Sequence, residues 1–245
     1  MRTRNRTSMI GWLVLASGVL LLDGRGHSQT KEDPAVYAPV GSLASMHLVL
    51  HSQLKAVKDW IAEKDFVSAA QTGRGLSTLA QLYGYQFADE GWRSHCSALA
   101  TASNKLVEAA GKKAAGDCEK ASEECTRLID DLAAKQPKAA GKVEHKGFKL
   151  PGNLRTWMTL LDGSYVDAKS AATAKELALR TEVIATQANA LKHLRSSDTW
   201  SKHSLAVRDA ALQVSEQARK NEFAEAKKSL KSIFQRCEAC HENSK

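Results

Sequence analysis

Apolar residues in this chain recur in steps of three and four, and the pattern runs through the sequence twice. In the second half Leu154, Met158, Leu161, Tyr165, Ala168 and Ala172 make such a series. In the first half Leu43, His47, Leu50, Leu54, Val57 and Ile61 repeat it 111 residues earlier. Phe66, Gly73 and Leu76 keep that offset to Leu177, Ile184 and Gln187. The offset then drops to 108, pairing Trp92, His95, Leu99, Ala102 and Leu106 with Trp200, His203, Val207, Ala210 and Val214. That drop predicts a loop three residues longer in the first half, between Tyr83 and Gly91. The last series holds Phe223, Ala226, Leu230, Ile233, Cys237 and Cys240, against Ala115, Cys118, Ser122, Cys125, Ile129 and Leu132. Such steps place residues on one face of a helix. Four such helices with short connections form an antiparallel bundle. The expectation is an all-α chain of two tandem antiparallel four-helix bundles, with no sheet.

Prolines punctuate this plan. Only four occur, and aromatics make up 6% of the chain, a composition that favours helix. Pro34 and Pro39 precede the first series; Pro137 and Pro151 bracket a Lys-, Gly- and Ala-containing stretch without apolar period. The expected organisation is a leader at 1–28, a bundle at 36–135, a linker at 136–152 and a second bundle at 153–245.

The leader has the layout of a secretory signal. Arg2, Arg4 and Arg6 precede an uncharged run from Met9 to Leu22, and small residues Gly26 and Ser28 follow. The run is shorter than the roughly 20 residues of a membrane span. Left uncleaved, it would instead tether the chain to a membrane. Cleavage after Ser28 removes four Arg and one Asp, so the formal charge falls from +8 to +5. Lys, Asp and Glu alternate along the helices without a basic stripe carrying aromatics, which argues against nucleic acid as a partner.

The chemistry sits in Cys237-Glu238-Ala239-Cys240-His241. Cys-x-x-Cys-His is the attachment signature of a c-type haem. Two thiols three residues apart reach the two vinyl groups of one porphyrin, and the next residue offers an imidazole to the iron. A zinc site needs about four ligands, and no second pair at zinc spacing occurs. A redox dithiol belongs beside a strand, and no strand is expected. One covalent haem c is therefore expected on Cys237 and Cys240, with His241 as axial ligand. Because Cys237 and Cys240 continue the apolar series, the porphyrin should enter the bundle. Asn221 is the expected N-cap of this helix, with Glu222 and Glu225 in its first turn.

At this point the chain resembles the cytochrome c′ family, four-helix bundles with Cys-x-x-Cys-His near the end of the last helix. Arg236 to Glu242 and Ala224 to Leu230 carry the resemblance, which covers 153–245. Residues 36–135 look like a degenerate, haem-less copy. Leu154 to Leu161 is similar to the first helix of the wider group, where one position either ligates iron through Met or blocks it with an apolar side chain. The resemblance puts Met158 at that position as sixth ligand; by itself it is a core methionine. His203 is the alternative ligand or pocket residue, although His95 and Trp92 repeat His203 and Trp200 without a haem motif. In the first half Ala133 stands in the place of His241, and Ile129 and Leu132 replace the two cysteines, which excludes covalent haem there.

Three cysteines remain. Cys118 and Cys125, seven apart on one helix, would lie about 10.5 Å apart, beyond the roughly 7 Å reach of a disulfide. Cys96 to Cys125 is the expected pair in an oxidising compartment; the alternative is three buried thiols. The leading reading is an exported, periplasmic monohaem c-type cytochrome that passes electrons to redox partner proteins. Five-coordinate iron binding nitric oxide or carbon monoxide, and a protein-binding module carrying a haem domain, are the alternatives. No acid–base pair, activated nucleophile or phosphate loop points to an enzyme.

Overall fold

Short polar side chains set six helix starts. Ser42, Asp65, Asp89, Asn153, Thr173 and Ser197 each accept a hydrogen bond from the backbone N–H three residues on, satisfying a donor the helix cannot. A computed structural model describes residues 36–137 and 143–243; the expected leader at 1–28 lies outside them. The helices are α1 (Leu43–Ala62), α2 (Phe66–Tyr83), α3 (Glu90–Gly111), α4 (Ala115–Ala134), α5 (Leu154–Ser170), α6 (Ala174–Leu191), α7 (Asp198–Arg219) and α8 (Phe223–Asn243). The fold is all-helical apart from one small antiparallel pair, β1 (Val36–Tyr37) with β2 (His145–Lys146). Among the described residues no helix is long and apolar enough to cross a membrane.

The helix bounds correct the expected register. α2, α3 and α4 each begin 108 residues before α6, α7 and α8, while α1 begins 111 residues before α5 and ends 108 before it. The three extra residues therefore lie in α1, not between Tyr83 and Gly91. A shift of three is close to one helical turn, so it nearly preserves the apolar face and hides in the sequence pattern. A repeated contact fixes the true register: Trp92 Nε1 donates to the Tyr83 carbonyl (2.9 Å) and Trp200 Nε1 to the Leu191 carbonyl (2.6 Å).

Asn221 is also reassigned. It adopts φ +62° between α7 and α8, where Lys113 (φ +54°) stands between α3 and α4. It terminates α7, its N–H donating to the Ala218 carbonyl, rather than capping α8. Asn tolerates this left-handed backbone better than most residues.

In the first half α1 packs on α2 and α4, and α3 on α2 and α4; in the second, α6 packs on α5 and α7, α7 on α8, and α5 meets α8 only lightly. α1 also packs on α6, and α2 on α5. One apolar cluster consequently runs from Met46, Leu79 and Tyr83 through to Trp157, Leu160 and Leu191. Gly75 lets α2 approach α5, since a Cβ there would stand 2.9 Å from Leu160. The end of the expected linker joins this packing. Phe148 is buried, its ring stacked 4.3 Å from that of Tyr37, and His145 Nε2 donates to the Tyr85 carbonyl (2.7 Å).

α6 is buried on nearly every side from Leu177 to Leu191. Some of its polar groups find partners there: Gln187 Nε2 donates to Ser164 Oγ (2.9 Å) and Asn189 Nδ2 to the Ala38 carbonyl (2.8 Å), while Gln187 Oε1 is buried without one among the described residues. The buried Glu182 carboxylate accepts from the Ser42 backbone and hydroxyl and pairs with Arg219. It thereby ties the start of α1 to the second half.

Candidate cofactor site

A cavity of about 500 Å³ lies among α5–α8, within the roughly 300–1,000 Å³ range of cofactor and ligand sites. α6 walls it with Ile184, Ala188 and Leu191, and α7 with Trp200 and Val207. The apolar walls follow from the seam pattern. The Trp200 indole is held by its bond to the Leu191 carbonyl, and the Arg195 guanidinium lies 4.9 Å from its ring centre.

Cys237, Cys240 and His241 all line this cavity from α8. Three-residue spacing puts both thiols on one helix face, and that face is the one presented here. Cys237 packs against the core of the second half, whereas Cys240 packs against the cluster shared with the first. Met158 lines the cavity from α5 and His203 from α7, both half-buried. All five residues singled out from the sequence around the motif thus meet in one place.

The donor set and the space fit a porphyrin. Two thiols and an imidazole face an apolar volume, and a haem asks the protein for at most two iron ligands because the macrocycle supplies the other four. Among the described residues no group of three or more His, Cys, Asp or Glu is placed to hold a metal ion by itself. Burial pushes the Cys237 thiol up to about 11, with Cys240, Asp162 and Glu238 adding to the rise. Redox dithiols need the opposite shift, a thiol made acidic by its surroundings.

The disulfide expectation fails. Cys96, Cys118 and Cys125 are buried and unbonded to one another. Cys125 Sγ lies 3.7 Å from Ser103 Oγ, and Ser103 stands seven residues beyond Cys96, about 10 Å along α3. Cys125 is therefore level with the wrong part of that helix to meet Cys96. Burial raises the Cys96 and Cys118 thiols and takes Cys125 to about 11, as for inert core cysteines.

In the first half, His47 takes the position of Met158. Its Nε2 accepts from the Gln136 amide (3.1 Å), and its ring meets that of Tyr83 edge-on at 5.4 Å. Sequence reasoning missed several residues of the site, among them Leu191, the exposed Phe234 and Asp162. Phe234 was legible one turn before Cys237. Asp162, on another helix, had no local signal.

The chain was compared with family models, curated proteins and solved structures, and none matches.

Proposed function

We propose that this chain is an exported monohaem c-type cytochrome that carries electrons, related in plan to cytochrome c′, with α1–α4 and α5–α8 as two four-helix bundles. The observation that supports it is the convergence of Cys237, Cys240 and His241 with Met158 on one apolar cavity. When bound, the haem supplies reversible one-electron chemistry at its iron. The chain's residues hold and tune it. Cys237 and Cys240 would anchor the macrocycle through thioethers, and His241 would offer an imidazole to the iron from α8. Met158 would offer a thioether from α5, and thioether ligation raises the potential. Ile184, Leu191 and Val207 would keep water from the iron, which favours the less charged, reduced state. The leader at 1–28 accounts for export to the periplasm, where the thioethers are made.

Expression to the periplasm with haem maturation tests the reading. The expected product carries one haem that survives denaturation, seen by intact mass and by haem staining of a denaturing gel. A chain with none, or with two, overturns the assignment. Absorption spectra then fix the sixth site. The expected ferric protein is low-spin with a weak near-infrared sulfur band, and Met158→Ala becomes high-spin and takes up carbon monoxide. A wild-type protein already high-spin and open to carbon monoxide makes Met158 a packing residue and the chain a gas binder. If His203→Ala alone turns the iron high-spin, His203 is the ligand.

A further inference from the structure

The mouth of the cavity carries charge opposite to that of the chain. The exposed side chains lining the cavity are Asp162 on α5 and Phe234, Glu238 and His241 on α8; those from α6 are buried and those from α7 buried or half-buried. The cavity therefore opens between α5 and α8, the neighbours that meet only lightly. Asp162 and Glu238 flank the opening, and both act electrostatically on Cys237. Beside them Phe234 is 47% exposed, its ring stacked on Tyr165 at 5.9 Å.

Among the described residues no Lys or Arg lines the cavity. Lys169 lies over the Tyr165 ring (5.9 Å), and Lys231 is one turn before Phe234, on the side away from the Cys-x-x-Cys-His segment. Arg155 is two turns from Asp162, about 10 Å along α5, and Arg236 lies half a turn round α8 from Glu238. Glu242, one turn beyond Glu238, extends the acidic stripe. The opening thus combines two exposed carboxylates and an exposed aromatic ring, on a chain whose formal charge is +8, or +5 once the expected leader is removed.

We infer that this opening is the docking face for a cationic one-electron carrier. The inference rests on the cytochrome reading and names the chemistry of its partner. One electron passes between the cofactor and the carrier, one gaining what the other loses, and no atom is transferred. Long-range repulsion by the net charge and short-range attraction by the rim have opposite signs, so salt dependence separates them.

The reduced, haem-loaded full-length protein is mixed in a stopped-flow instrument with hexaammineruthenium(III), with ferricyanide as anionic control. At about 10 mM ionic strength the ruthenium rate is expected to be roughly fivefold that of Asp162→Asn with Glu238→Gln, a ratio that should shrink toward one by about 200 mM as salt screens the rim. Equal ruthenium rates in the two proteins at low salt, or a ratio that does not shrink with salt, overturn the docking face. A second readout needs no turnover. Redox-inert, paramagnetic hexaamminechromium(III) should broaden the amide resonances of Asp162, Tyr165, Phe234 and Glu238, and not those of the double variant; broadening centred elsewhere overturns the inference. Failure of the cytochrome reading is separate, because it removes the haem spectrum and leaves the chromium map to be read.

Discussion

The two halves place the same helices around opposite interiors. In the second, Leu191 ends α6 and Val207 faces it from α7, leaving the cavity open. In the first, Tyr83 stands at the position of Leu191, Leu99 at that of Val207, and Ile129 and Leu132 at those of Cys237 and Cys240. All four are fully buried. The Tyr83 ring meets Trp92 at 4.9 Å and His47 at 5.4 Å, edge-on to both. Filling the space this way leaves the Tyr83 hydroxyl and His47 Nδ1 buried without a hydrogen-bond partner among the described residues, an arrangement that itself costs stability. The comparison teaches that one helix skeleton can hold either a filled core or a cavity. One ring at the end of the second helix of each half does much to decide whether a core or a cavity results.

On the cytochrome reading, the sharpest break between the halves is covalent. Cys237→Ala with Cys240→Ala should abolish haem staining of the denatured chain entirely. Cys96→Ser, Cys118→Ser and Cys125→Ser together should leave the staining in place, which a single gel comparison checks.

Closing the open half comes next. Leu191→Tyr copies the first half's ring into the cavity, and the yield of haem-loaded protein should drop at least roughly tenfold, since overpacking resists relaxation. Circular dichroism should still report a helical chain.

Opening the closed half should cost stability without creating haem binding. Tyr83→Ala leaves a large buried void and should lower unfolding free energy by about 3–5 kcal/mol, the range for buried aromatic truncation. Denaturant titration measures it. Haem staining of the same variant should show one attachment, because Ile129 and Leu132 supply no thiols for thioether bonds.

The smallest contrast is in the helix caps. Asp65 caps α2 where Thr173 caps α6. Hydrogen bonds from Ser68 hold the Asp65 carboxyl below its ordinary range. A depressed carboxyl contributes stability above its unfolded value and loses it as pH falls through the folded one. Asp65→Thr should therefore remove a small acid-side loss of thermal stability, seen as a flatter curve of Tm against pH in the acid range.

By itself the sequence determined the helices, the doubled seam and the membership of the motif face. These are local properties: caps act within one turn, and three- and four-residue steps define a face without reference to a partner. It also brought Met158, His203, Cys237, Cys240 and His241 onto inward faces, because each lies on its own helix's seam. The register of the repeat was another matter. α6 is buried on nearly every side from Leu177 onward, so Thr181, Thr186 and Gln187, polar in the sequence and buried in the fold, blurred its period and allowed a shift of one turn. The cysteine levels, the packing of Phe148 on Tyr37 and the cluster shared by α1, α2, α5 and α6 were decided only by tertiary structure. Each depends on how far one helix slides past another, and a seam pattern repeats every turn without recording that displacement.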